Sequence, residues 1–212
     1  MKVSTKVQKK IKQYSPQGGL DQTAKIILSL IGVNHPQVKD HKENVALLAE
    51  AVAKKLRKDA KAAFFAGLLH DTGKLTEDGD LFDGHNITQE EYEKVKRHVE
   101  EGYEALKDHH LFIAFCAGFH HNMYYGGYGL TAKDLPGHWH MGTVKKVLEI
   151  SAIISICDFI DAFSHRKTTL KDGSDKKAPD LKGMLYAKYP EDHMIIDIAM
   201  QMNKKLGLAQ AA

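Results

Sequence analysis

Residues 68 to 75 read LLHDTGKL: two leucines run straight into an imidazole and a carboxylate, and an ammonium follows one turn later. Burying such groups without partners is costly, and a metal ion would supply the missing partner. Other residues occupy similar places. His41 stands four residues before Val45, His98 three after Val95, His120 four after Cys116, and Asp158 four after Ile154. At helical spacing each shares a face with an apolar neighbour and points inward. His121 adds an imidazole beside His120. Alone, an inward histidine is more often a hydrogen-bonded core residue, and an aspartate near a helix end a cap or ion-pair partner. The set of His41, His70, Asp71, His98, His120, His121 and Asp158 comes from five separate segments. So many titratable groups call for an ion to organise them. Mixed imidazole and carboxylate donors suit Mn, Fe, Zn, Co or Ni better than calcium or a thiolate-bound zinc. Two carboxylates and five imidazoles exceed the needs of one ion. The expectation is therefore two divalent transition-metal ions, with Asp71 bridging them.

The elements that must position these donors read as helices. From His41 to Leu56, Val45, Leu48, Ala49, Val52, Ala53 and Leu56 form an apolar stripe of helical period. A second helix spans 59–70, with Gly73 as its C-terminal stop. LTEDGDLFDGHN reads as a loop, and Thr88 with Glu91 signals a capping box for a helix through Leu106, with Tyr92, Val95, Val99, Tyr103 and Leu106 inward. A shorter helix covers about 110–121 and is followed by the irregular MYYGGYGL. A long apolar helix runs from Thr143 to His165, a polar, exposed stretch follows (HRKTTLKDGSDKKAPD), and a last helix spans about 190–206 with Met194, Ile195, Ile198 and Met202 inward. No strand alternation or internal repeat is visible. The fold class expected is all-α, with residues 1–20 a helix and linker and 21–212 one domain.

The 212 residues suffice for a core, and 43% apolar with 27% charged residues is a soluble globular composition. A net charge of +3 does not demand a polyanionic partner, so no nucleic-acid polymer is expected, and the early lysines read as a solvated helix face. Cys116 and Cys157 lie in apolar runs, as reduced buried thiols would. No run approaches a membrane span or a signal peptide, so the expected location is cytoplasmic. Of the 13 histidines, His35, His85, His109, His110, His138, His140, His165 and His193 read as surface residues.

The order His41, His70-Asp71, Asp158 resembles the H…HD…D pattern of the HD phosphohydrolase superfamily. HDTGK, His98 with Gly102, FHHNMYYGGYGL and DFIDAFSHRK resemble the HD-GYP branch, which hydrolyses cyclic di-GMP. The resemblance covers about residues 38–200. It implies a single HD-domain helical bundle in which the seven donors bind two metals and hydrolyse a phosphoester. Asn122 stands where the branch has Glu, Gly127-Tyr128-Gly129 stands for GYP, and Gln37 replaces the Glu found in members with a third metal.

The resemblance also implies that Asp71 and Lys74 are catalytic, with Lys74 on a phosphoryl oxygen; spacing alone equally allows a cation at a helix C-terminus. Arg166, with Lys167, is a second phosphate candidate or a solvated basic stretch. Asp161 would orient a ligand or a lysine from behind. Tyr124, Tyr125 and Tyr128 could pack on their own domain or stack on a base. Three readings remain open: a nucleotide phosphodiesterase with cyclic di-GMP as first substrate, a nucleotidase or phosphomonoesterase of the same superfamily, and a non-catalytic nucleotide-binding module.

Overall fold

A computed structural model describes residues 2–15, 19–82, 87–165 and 180–208. Among them the chain is all-α: helices α1 (Val3–Tyr14), α2 (Leu20–Asn34), α3 (Pro36–Lys55), α4 (Ala60–Leu69), α5 (Gln89–Lys96), α6 (His98–Leu106), α7 (Leu111–Phe119), α8 (Met141–His165), α9 (Leu181–Lys188) and α10 (His193–Leu206), joined by turns and short 3-10 segments. Cys116 and Cys157 are buried free thiols. No helix among the described residues is long and apolar enough to cross a membrane.

Helix α3 is the axis of the bundle. The sequence pattern gives it one apolar stripe, yet every residue from 42 to 50 is buried, because α1, α2, α4, α8 and α10 pack around it. Its charged residues then need partners inside the fold. Glu43 is bonded by Lys39 at 2.8 Å. Glu50 accepts from Tyr14 (2.5 Å) and Lys54 (2.6 Å) and lies 2.8 Å from Lys10, so one buried carboxylate pins α1 to α3. Val7 and Ile11 of α1 are fully buried beside it.

Several expectations need correction. Helices α2 and α9 go beyond the elements read from the sequence; α2 buries Leu20, Ala24, Leu28 and Ile31. The helix expected from Thr88 through Leu106 keeps its capping box but is interrupted at Arg97. The His98 ring bonds the Val95 carbonyl at 2.5 Å and competes with the helix for that acceptor. Of the inner face expected for α10, Ile195, Ile198 and Met202 pack partly buried against the core, but Met194 is exposed, and the fully buried residues are Ile196 and Ala199. Tyr92 is exposed as well. His35 is buried, not on the surface, with its ring edge-on to Phe82 at 5.6 Å. His109, His138, His140 and His193 are exposed, and His110 caps α7 through Ile113 N–H. His85 lies outside the described residues.

Burial opposes ionisation of Glu50, but hydrogen bonds from Lys10, Lys54 and Tyr14 outweigh it and hold its pKa below the usual glutamate value. A depressed carboxylate pKa stabilises the fold above the unfolded value and ceases to as pH falls through the folded one. Glu50→Gln is expected to cost about 1–3 kcal/mol at pH 7, with the gap to wild type closing below about pH 4. Urea unfolding across pH checks this; equal stability at pH 7 refutes it.

Candidate metal centre

Three of the donors share one local device. His70 follows the last residue of α4, His98 lies just past α5, and His120 follows α7. The carbonyls near a helix C-terminus have no amide partner. Each ring takes one three residues back: His70 Nδ1 lies 2.8 Å from Gly67 O, His98 Nδ1 2.5 Å from Val95 O, and His120 Nδ1 2.5 Å from Ala117 O. A carbonyl only accepts, so each Nδ1 carries the proton and each Nε2 presents a lone pair. His41 obeys the same logic with a different anchor, its Nδ1 donating to Asp161 Oδ2 at 2.7 Å.

The Nε2 atoms converge on carboxylates. His98 Nε2 lies 3.2 Å from Asp71 Oδ1 and His120 Nε2 4.0 Å from the same atom. His70 Nε2 is 3.3 Å and His41 Nε2 3.5 Å from Asp71 Oδ2. Asp158 Oδ1 is 3.0 Å from His41 Nε2 and 3.9 Å from His70 Nε2. His121 completes the group: with His98 and His120 it offers ligand atoms within 4.8 Å of one another, as do His41, His70 and Asp71, and His70, His120 and Asp158. All seven donors expected from the sequence are thus brought together.

Their unmet bonding tests whether they fit a metal. The Nε2 atoms of His70, His98 and His120 and Oδ1 of Asp71 are buried without a hydrogen-bond partner. Acceptor faces acceptor, an arrangement that repels unless a cation lies between. Protonation states agree. Burial pulls His120 down to about 3, helped by His70 and His98, and burial with His120 holds His121 well below its usual value. Both imidazoles are therefore neutral donors at pH 7. Burial works against the charges of Asp71 and Asp158, yet His70 and Lys74 hold Asp71, and His41 holds Asp158, well below the carboxylate range. Burial also opposes charge on His41, but Asp158 and Asp161 outweigh it and push its pKa up to about 10, so two carboxylates here already demand a positive charge. The residues fit divalent ions.

Backbone packing sets these distances. A Cβ on Gly73 would lie 2.0 Å from His98 O and 2.8 Å from Gly102 N. Only glycine lets the Thr72–Thr76 turn press against α6, which is what places Asp71 beside His98. Gly73 is therefore a contact residue and not the helix stop expected, since α4 has already ended at Leu69. The loop after His121 is held as closely: Tyr128 N–H bonds His121 O at 3.0 Å, and a Cβ on Gly127 would lie 2.1 Å from that oxygen. Asn122 donates its amide to Leu130 O at 2.8 Å, securing the same loop. Tyr128 stacks on His121 at 4.7 Å. Tyr124 OH lies 3.4 Å from His121 Nδ1.

Lys74 Nζ is 2.5 Å from Asp71 Oδ2, at the edge of the centre. Arg166 and Lys167 lie outside the described residues. One residue went unnoticed in the sequence: Lys42 is fully buried and its Nζ has no partner. Burial lowers its pKa to about 7, with Asp71 opposing and Lys74 adding to the drop. The only cue was its position next to His41.

Fold and site together define a class, an all-α domain with histidine and aspartate donors converging on one buried carboxylate. The chain belongs to the HD domain family, whose model matches residues 38–164. No curated protein matches it by sequence. Among solved structures it is similar to the HD domain of the L. monocytogenes phosphodiesterase PgpH, at 21% identity over 86% of each chain with a TM-score of 0.52. The same domain in complex with cyclic-di-AMP matches at 21% identity over 86% of this chain and 85% of that one, with a TM-score of 0.51. At that identity the likeness is one of fold.

Removing the support behind His41 tests the geometry. Asp161→Ala is expected to weaken Mn or Zn affinity roughly 10–100-fold by calorimetric titration. Wild-type affinity would show that His41 needs no orienting partner.

Proposed function

We propose that the chain is a dinuclear metal-dependent phosphohydrolase acting on a nucleotide phosphodiester, with a cyclic dinucleotide as the substrate to try first. The observation that carries this reading is the ring of unpaired imidazole lone pairs around Asp71. In the proposal His41, His70, Asp71 and Asp158 would hold one ion, and His98, His120 and His121 with Asp71 would hold the other. The domain proposed over 21–212 acts in the cytoplasm, and α1, from the stretch expected to be a helix and linker, packs onto its core through Val7 and Ile11. Mn and Fe are the first ions to test. When bound, such ions supply Lewis-acid charge stabilisation and lower the pKa of water.

The chain's own residues do the rest. Three helix-end carbonyls and the Asp161 carboxylate hold four imidazole ligands in place before substrate arrives, which limits reorganisation during reaction. Lys74 can move its ammonium from Asp71 to a non-bridging phosphoryl oxygen and stabilise charge there. Arg166 and Lys167 remain proposed phosphate contacts. Cyclic di-GMP follows from the HD-GYP resemblance, and cyclic di-AMP joins it as the ligand of the similar PgpH domain.

The test incubates Mn- or Fe-loaded protein with each cyclic dinucleotide and separates products chromatographically. Linear dinucleotide or mononucleotide is expected from wild type and background from Asp71→Ala with the fold retained. Lys74→Ala is expected to keep its metal and lose about 10²–10³ in kcat. Equal rates for Asp71→Ala and wild type would sink the proposal. Turnover of mononucleotides alone would favour the phosphomonoesterase reading, and tight binding without product the binding module.

A further inference from the structure

The glycine loop carries three tyrosines that the fold treats differently. Tyr128 stacks on His121 and Tyr124 packs edge-on to Tyr189 at 5.8 Å, so both are part of the domain. Tyr125, between them in sequence, is 93% exposed. The backbone of its loop is nevertheless tied. Tyr125 N–H bonds Lys188 O at 3.5 Å, Gly127 N–H bonds Tyr124 O at 3.0 Å, and Tyr128 N–H bonds His121 O. A large aromatic ring is thus held in solvent on a tied loop, one residue from a side chain that touches a metal-ligand histidine.

A cation shares that rim. Lys188 Nζ lies 3.6 Å from the Tyr124 ring centroid and 4.6 Å from that of Phe159, the residue after Asp158. Two aromatic rings hold this ammonium, one of them on the tyrosine whose hydroxyl lies 3.4 Å from His121 Nδ1. An exposed planar ring and a positioned cation next to a phosphoester-cleaving site match the two halves of a nucleotide, a base and a phosphate.

We propose that Tyr125 and Lys188 form a specificity subsite for a nucleotide substrate, Tyr125 stacking on a base and Lys188 facing a phosphate that is not cleaved. This rests on the phosphodiesterase reading above and goes further, since it assigns recognition to residues outside the metal centre. Stacking tolerates any base, so the subsite selects for a nucleoside and a second phosphate and not for guanine over adenine. Tyr125→Phe keeps the ring, and Tyr125→Ala removes it.

A matched substrate pair tests this: thymidine 5′-(p-nitrophenyl) phosphate and methyl p-nitrophenyl phosphate share the scissile bond and differ in the nucleoside. The ratio of their kcat/KM values is expected to fall about tenfold in Tyr125→Ala and to stay at the wild-type value in Tyr125→Phe. In Lys188→Gln the ratio of cyclic di-AMP to the thymidine diester is expected to fall. A second readout needs no turnover: emission of Tyr125→Trp, measured against wild type, is expected to be quenched by cyclic di-AMP and not by inorganic phosphate. Unchanged ratios, or no quench by the nucleotide, overturn the subsite. Quenching without hydrolysis of any diester would uphold the subsite's stacking face and overturn the phosphodiesterase reading instead.

Discussion

Asp71 lies among atoms that cannot satisfy it. The imidazole lone pairs of His70, His98 and His120 face its two oxygens, and lone pair against carboxylate is repulsive. Lys74 relieves one oxygen. The other has no partner at all. Such an arrangement is held only because the surrounding packing over-determines it, and a divalent cation turns each of those contacts from cost to gain. Every other feature of the site either brings lone pairs to this point or keeps them aimed at it.

The aiming is done with ordinary helix ends. A helix that stops leaves carbonyls unbonded, and a histidine placed just past the stop uses one of them to fix its tautomer and ring plane. His70, His98 and His120 all do this with the carbonyl three residues back. The same bond that orients the ligand also breaks the helix at Arg97. His41 sits within its helix, where the carbonyls are already used, so it takes its anchor from Asp161 across the bundle. The bare backbones of Gly73 and Gly102 then allow two of these helix ends to meet.

The price of such a polar interior falls on α3. Buried on all sides, it carries Glu43 and Glu50, each neutralised by lysines from its own or a neighbouring helix. Lys42 is the exception, a buried ammonium without a partner one residue from His41. An unpaired buried cation favours its neutral form, and burial lowers the Lys42 pKa to about 7, which reduces the charge it places next to the metal site.

Helical period and apolar neighbours were enough to identify an all-α chain and to aim His41, His70, Asp71, His98, His120 and Asp158 inward, because facing direction is a local property of a helix. The burial of α3 on every side, and with it Lys42 and His35, was not legible, since one stripe of apolar residues does not reveal how many helices will surround it. The exposure of Met194 and the break at Arg97 escaped for the same reason: competing contacts, not propensity, decided them. Nor could the sequence show which of three tyrosines would be left in solvent. What it determined alone was the inventory of donors and the side of each helix they occupy. Their convergence on Asp71 was decided by tertiary structure, because the distance from His41 to Asp158 depends on how α3 crosses α8, and that is set by packing between residues far apart in the chain.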